Sequence, residues 1–364
     1  MKKAVNIITF LAFILAPVIY YAGLDPTFLK TALLQTAGVW ILALWLLERK
    51  TFTWEPVYLY FGWCFITYLL CPWKLGQPGR ETILLFAYLG FFLAGKYYMK
   101  DKLLMVMVLT SMVITLFVNF SLTGVHFTRD EVGPTFCQPN IYASWLVLLL
   151  PLISIIPMRR IWSEIMVWII FIFGVTALHM VGCRSGMIAL LSAILLIATA
   201  KHKKLRILLI PILAGVVLAP FYVILTTPGA QWERLSYWRS SIEAIQLKGL
   251  AGWGLGSFRI VYQRFQEPFM QLKMHNLYLE NAHNFYLQEW LQTGIIGLAL
   301  FIGTVWFILR KADLKDPIKL GLVAGVFGCL VDANFNIGLQ FAVIQAIFWL
   351  WLGILSREGV LCEK

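Results

Sequence analysis

The chain alternates long apolar runs with short polar breaks. A helix crossing a bilayer needs roughly 20 mostly apolar residues, and about 12 runs of that kind are readable. They lie at 5–22, 30–47, 56–73, 82–99, 103–122, 139–157, 162–181, 185–200, 205–226, 286–309, 318–333 and 337–355. One break, 227–285, is far longer than the others. The pattern predicts an all-α polytopic membrane protein with a single membrane domain over 1–364. The 227–285 stretch is expected to be a loop with short amphipathic helices between the ninth and tenth runs. Gln231 to Leu247, for example, alternates polar and apolar positions at helical spacing.

Composition strengthens this reading. Of 364 residues, 60% are hydrophobic and 13% charged, with mean hydropathy +0.79; a soluble domain carries about twice that share of charge. The net charge of +12 is divided among short basic clusters between apolar runs, which argues against nucleic acid as a partner and for membrane topology. With a cytoplasmic N-terminus, the inner loops carry Lys2/Lys3, Arg49/Lys50, Lys96/Lys100/Lys102, Arg159/Arg160, Lys201/Lys203/Lys204/Arg206, Arg310/Lys311/Lys315/Lys319 and Arg357/Lys364. The outer loops carry only Lys30, Lys74, Arg80, Arg129 and Arg184 outside the long one. Both termini are therefore expected in the cytoplasm, and 227–285 outside. The apolar run after Lys2 and Lys3 is read as a retained span, because it lacks a small-x-small cleavage site. Six cysteines (Cys64, Cys71, Cys137, Cys183, Cys329, Cys362) show no metal-ligand spacing and read as small buried hydrophobes.

The unusual polar residues lie on the outer side. That face has no ATP, so an enzyme there needs a substrate already activated and carried across. Gly133 to Asn140 is an irregular loop entering a helix, with Asn140 as an ordinary cap in the plain reading. Arg184, followed by Ser185 and Gly186, sits at a helix start, where it would either snorkel outward or offer its guanidinium to an anion. Arg234, Trp238 and Arg239 occupy the amphipathic segment, either as solvated interfacial residues or as a lid over a phosphate. Gly252, Gly254 and Gly256 mark a tight loop; no strand precedes it, so a dinucleotide fold fails its own context. His275 and His283, each followed by an asparagine (Asn276 and Asn284), are the residues best able to take a proton near neutral pH. HExxH is absent, and no metal or other cofactor is expected.

In order, Gly133–Asn140, Cys183-Arg184-Ser185-Gly186, Glu233-Arg234 with Trp238, Gly252–Phe258, and Ala282-His283-Asn284-x-x-Leu287 with Gly294 and Gly297 resemble the bacterial O-antigen ligase superfamily. That superfamily also holds O-antigen polymerases and protein O-oligosaccharyltransferases. The resemblance covers roughly 130–300. Here Cys183 stands where Ser or Thr is more usual. It implies a glycosyltransferase of the C-type-like, membrane-embedded kind in the bacterial inner membrane, acting on the periplasmic face. Its donor would be a glycan on undecaprenyl diphosphate. Its acceptor would be lipid A–core, as in lipopolysaccharide biosynthesis, or a growing chain. Transfer would be metal-independent and inverting. Carried over by position, Arg184 and Arg234 would bind the diphosphate and His283 would act at the acceptor hydroxyl. Arg239, His275, Asn284 and Asn140 stand second; Asp332, with Asn334 and Asn336, is left outside the set, either completing the acceptor site or pairing with an arginine, or forming a polar turn between two helices. The rivals are a polymerase extending the lipid-linked repeat, a transporter of lipid-linked glycan, and a non-catalytic assembly partner.

Overall fold

The structure, a computed structural model, describes residues 1–20, 26–48, 53–74, 76–123, 134–136, 138–158, 160–202, 233–268, 270 and 279–357. Among the described residues the chain is all-helical, with thirteen α-helices. They follow in order: α1 Lys2–Val18, α2 Pro26–Leu47, α3 Pro56–Leu70, α4 Gln77–Tyr97, α5 Asp101–Thr123, α6 Pro139–Ile153, α7 Ile161–Val181, α8 Arg184–Lys201, α9 Glu233–Lys248, α10 Phe258–Phe265, α11 Phe285–Leu309, α12 Pro317–Asp332 and α13 Ala342–Leu355.

Eleven of the predicted runs coincide with helices; the 205–226 run lies outside the described residues. Among the described residues, four helices are long and apolar enough to cross a membrane: Thr27–Leu47, Asp101–Leu122, Ile161–Val181 and Phe285–Leu309. Others stop short for a local reason. The 56–73 run contains Pro72, and the residue before it, Cys71, is extended at φ −66°, ψ 130°, so α3 ends at Leu70. In the 139–157 run α6 ends at Ile153, two residues after an internal Pro151, with Ser154 as its cap. An apolar count does not register proline.

Close packing between α2, α4 and α13 forms one side of the frame. It depends on glycine. A Cβ on Gly90 would lie 2.1 Å from Gly38 O, one on Gly95 2.1 Å from Leu350 O, and one on Gly353 2.0 Å from Phe92 O. Small residues at such crossings let helix backbones touch, which is how helices associate where the surroundings are already apolar. Elsewhere large apolar side chains face outward, as on α7 with Trp162, Met166, Ile169 and Phe173. In water that surface would be a liability; against lipid it is the expected exterior.

The bundle has two chemically different ends. At one, Lys96 pairs with Glu55 at 2.7 Å, and the Arg357 guanidinium donates to Gly95 O at 2.6 and 2.9 Å. At the other lie the starts of α6, α8 and α11 and the end of α12. Lys30, expected in an outer loop, instead lies in α2 and is buried. Its Nζ donates to Ala16 O at 2.6 Å and Pro17 O at 2.9 Å, satisfying the last carbonyls of α1.

The glycine crossings give a stability test. Gly353→Val is expected to lower folding stability by about 1–3 kcal/mol or more through overpacking. Gly62→Ala, whose Cβ would meet nothing within 4 Å, serves as the neutral control. Thermal unfolding midpoints of both variants in detergent check it.

Candidate functional site

The end of α12 puts a carboxylate inside the protein. Asp332 is 1% exposed, and a buried charge must be met by donors. Ser144 of α6 donates its hydroxyl to Oδ2. Asn336 Nδ2 lies 3.1 and 3.3 Å from the two carboxylate oxygens and 3.0 Å from Asn140 O. The same Nδ2 is 3.7 Å from Cys183 Sγ, which in turn is 3.3 Å from Ser185 Oγ. Asp332 therefore ties α6, α12 and the beginning of α8 together. Asn140 is not the helix cap: Pro139 takes the first helical position, where its fixed φ and missing N–H cost nothing, and Gln138 becomes the cap.

Arg184 follows directly. Gly182 ends α7 in the left-handed region at φ 62°, Cys183 is extended, and Arg184 opens α8. Its side chain is exposed, has no hydrogen-bond partner among the described residues, and stands at a helix N-terminus, which favours anions.

Arg234, in the first turn of α9, is anchored from the other side. Its Nη1 donates to Phe335 O at 2.8 Å, just past Asp332. One donor of the guanidinium is thereby fixed, and the group remains exposed.

His283 sits in a left-handed backbone at φ 51°, the one non-glycine residue with positive φ among the described residues. Such a conformation persists only where neighbours over-determine it. Here they do. Gln288 Oε1 accepts from Ala282 N at 2.9 Å, and Ala282 O accepts from Trp238 Nε1 at 3.1 Å. Asn284 caps α11 by accepting from Leu287 N at 3.0 Å, and Phe285 N donates to Ala333 O at 2.9 Å. The imidazole stacks on Tyr237, ring centres 5.6 Å apart, and its Nδ1 is buried without a partner among the described residues. Burial first, and then the charge of Arg234, lower the His283 pKa to about 4, with Glu233 opposing. The imidazole is thus neutral at pH 7. Burial and the neighbouring Glu233 push the Tyr237 hydroxyl up to about 12.

The loop before this site docks on a break in a helix. Gly294 has φ 73°, ψ 178° inside α11, which releases carbonyls from the helical ladder. Trp253 N donates to Leu291 O at 2.9 Å and Gly254 N to Gln292 O at 2.8 Å. Gly252, Gly254 and Gly256 form the tight loop expected of them, with φ of 76°, 109° and 75°.

Arg234, His283 and the residues flanking Arg184 therefore converge around the 332–336 turn. Other candidates do not join them. Arg239 pairs with Glu267 at 3.7 Å, Asn284 is committed to its cap, and His275 lies outside the described residues. Cys183 is a free thiol, as are Cys64, Cys71 and Cys329, all buried; Cys137 and Cys362 lie outside the described residues. Asp332 is no surface turn. Its partner Asn336 belongs to the same polar stretch, four residues on, and Ser144 lies four residues from Asn140 on one helical face.

Residues 169–302 match the family model described as O-antigen ligase. This span holds Arg184, Arg234 and His283. Over that span the chain is similar to the O-antigen ligase family. A Rickettsia typhi protein provisionally named a polysaccharide ligase is 31% identical over 132 residues, covering 35% of this chain and 31% of that relative. The chain thus spans about a third of the relative's length. Asp332, Ser144 and Asn336 fall outside the part that matches the ligase family model.

The depressed His283 pKa has a stability consequence. The unfolded chain takes up a proton near the ordinary histidine value of 6.5, while the folded chain does so only near 4. Below about 6.5 the unfolded state holds more protons, so stability is greatest above that pH and falls as pH drops toward 4. In thermal unfolding between about pH 7.5 and 4.5, a window that spans most of this loss, His283→Gln is expected to show a shallower fall than the unaltered chain.

Proposed function

We propose that this chain belongs to the O-antigen ligase superfamily and is a membrane-embedded glycosyltransferase. It moves a glycan from undecaprenyl diphosphate to lipid A–core on the periplasmic face of the inner membrane. The observation that carries the reading is the pairing of Arg234, fixed by Phe335 O, with a neutral, strained His283. The acceptor hydroxyl oxygen attacks the anomeric carbon from the face opposite the diphosphate. The bond from that carbon to the diphosphate oxygen breaks, and undecaprenyl diphosphate leaves with the electron pair. Configuration inverts. Arg234 and Arg184 meet the charge that gathers on the leaving oxygens, aided by the N-terminus of α8.

His283 accepts the hydroxyl proton. Its lowered pKa owes part of its value to Arg234. A bound diphosphate offsets that positive charge and raises the proton affinity of the imidazole, so donor binding prepares the base. Asp332 acts as a positioning residue: through Ser144 and Asn336 it fixes the helix ends that present Arg184 and Arg234.

A reconstituted transfer assay with lipid-linked donor and lipid A–core acceptor tests the assignment. His283→Ala is expected to lower kcat by about 10²-fold or more with the donor KM little changed. Arg234→Ala is expected to raise the donor KM and lower kcat, and Arg234→Lys to restore activity only partly, because lysine lacks the guanidinium fork. Full transfer by a well-folded His283→Ala variant would remove His283 from the chemistry. Extension of the lipid-linked repeat without transfer to lipid A–core would mark the protein as a polymerase instead.

A further inference from the structure

A second polar space opens beside this site, on the far side of the 281–288 segment. It is a solvent-open cavity of about 110 Å³ between α2, α3, α4, α11 and α13. Its walls are unusual for a helical membrane protein. Gln77, Asn281, Gln288, Gln292, Gln340 and Gln345 bring carboxamides from separate stretches of chain. Three of the carboxamide oxygens, on Gln77, Asn281 and Gln340, are buried with no hydrogen-bond partner among the described residues. A buried acceptor without a donor is costly, so each such atom in a cavity wall asks for a ligand that donates. Glu289 is 7% exposed and Gln292 6%. Glu289 accepts from Tyr60 OH at 3.1 Å and Thr293 Oγ1 at 2.9 Å, which fixes its carboxylate in the wall.

Two further features define the chemistry of the occupant. Flat rings of Tyr60, Tyr88, Phe285 and Trp349 also line the space, giving apolar faces among the amides. The ionisable lining is Glu81, Glu280 and Glu289 with Arg80; Arg80 lies 3.8 Å from Glu81, and Glu280 is met by Arg259 at 3.4 Å. The lining thus offers no surplus of positive charge to a phosphate. An uncharged molecule with many hydroxyls and apolar C–H faces fits both the orphaned oxygens and the rings. Sugar rings have that character.

The cavity is coupled to His283 through one side chain. Gln288 lines the space, its Oε1 accepts from Ala282 N at 2.9 Å, and the same oxygen accepts from Gln340 Nε2 at 2.8 Å. A ligand in the cavity thus lies against the residue that holds the backbone next to the proposed base.

We infer that this cavity is a subsite for the uncharged sugar residues of one of the two substrates, separate from the arginines that take the diphosphate. The inference rests on the proposed glycosyl transfer. Hydroxyls of the sugar donate to the orphaned carboxamide oxygens, and its C–H faces lie on the rings. Both substrates carry such sugars, and kinetics can tell which one enters.

The test uses the full chain in nanodiscs with lipid-linked donor and lipid A–core acceptor, each varied in turn. Gln345→Leu and Gln77→Leu, on different helices, remove amides that make no side-chain hydrogen bond among the described residues. Thermal midpoints confirm that each variant folds. The expected result is a rise of roughly tenfold in KM for one substrate, the size of one or two lost hydrogen bonds, with kcat within about twofold. A rise for the donor assigns the cavity to the donor's sugars, and a rise for the acceptor to the acceptor's. Inhibition by inorganic diphosphate is expected to be the same in variants and unaltered chain. Unchanged KM for both substrates overturns the subsite, as does a fall in kcat alone or a changed inhibition by diphosphate. If the unaltered chain forms no glycosidic bond, the proposed transfer itself fails. Equilibrium binding of the two glycans, released from their lipids, then decides the subsite: binding lost in the variants supports it, and no binding overturns it.

Discussion

Asp332 is the constraint on which the candidate site depends. A carboxylate buried at the end of a helix, with 1% exposure, cannot be left to itself. Its need for donors is met from α6 and from the turn that follows it, and the beginning of α8 closes over the same cluster. That turn then supplies two backbone carbonyls to the rest of the site. Phe335 O holds Arg234, and Ala333 O holds the start of α11 beside His283. Three remote segments of sequence are thus brought together by one short stretch, 332–336.

A second constraint acts from the other side. The break at Gly294 frees carbonyls of α11, and the glycine loop at 252–256 takes them. This fixes the loop between α9 and α10 against the same helix whose N-terminus carries His283. Apolar packing reinforces it. Tyr237, Trp238 and Tyr262 bury the inner faces of α9 and α10 in one cluster with Ala282 and Leu287, and the Trp238 indole holds the Ala282 carbonyl. The left-handed His283 is therefore held by contacts from α9, α11 and the 332–336 turn together.

Much of this was legible in the sequence. Hydrophobic length marked the helices, because apolar runs at membrane scale have few other uses. The tight loop at 252–256 followed from Gly252, Gly254 and Gly256 themselves. Arg184, Arg234 and His283 were readable as a set because their order and spacing carried the resemblance. What was not legible has a common cause. Asp332, Ser144 and Asn336 act through burial and mutual contact, and a short polar turn looks the same in sequence whether it faces water or a core. Lys30 looked like a loop cation for the same reason, since only tertiary structure puts the end of α1 beside it. The carboxamide cavity was not legible because its residues lie far apart in sequence, some in apolar spans and others, such as Gln77 and Asn281, in the polar stretches between them.

In the proposed mechanism Arg234 places the donor's diphosphate next to His283 and thereby sets the proton affinity of the imidazole. Titration of His283 by NMR probes that coupling without relying on turnover. It uses the full chain with carbon-labelled histidine in nanodiscs, and His283→Gln to assign the signal. Without ligand the midpoint is predicted near pH 4. With undecaprenyl diphosphate bound it is predicted to move upward, and in Arg234→Ala the ligand is predicted to cause little further movement. A midpoint unmoved by bound undecaprenyl diphosphate, or one moved equally without Arg234, would contradict this coupling.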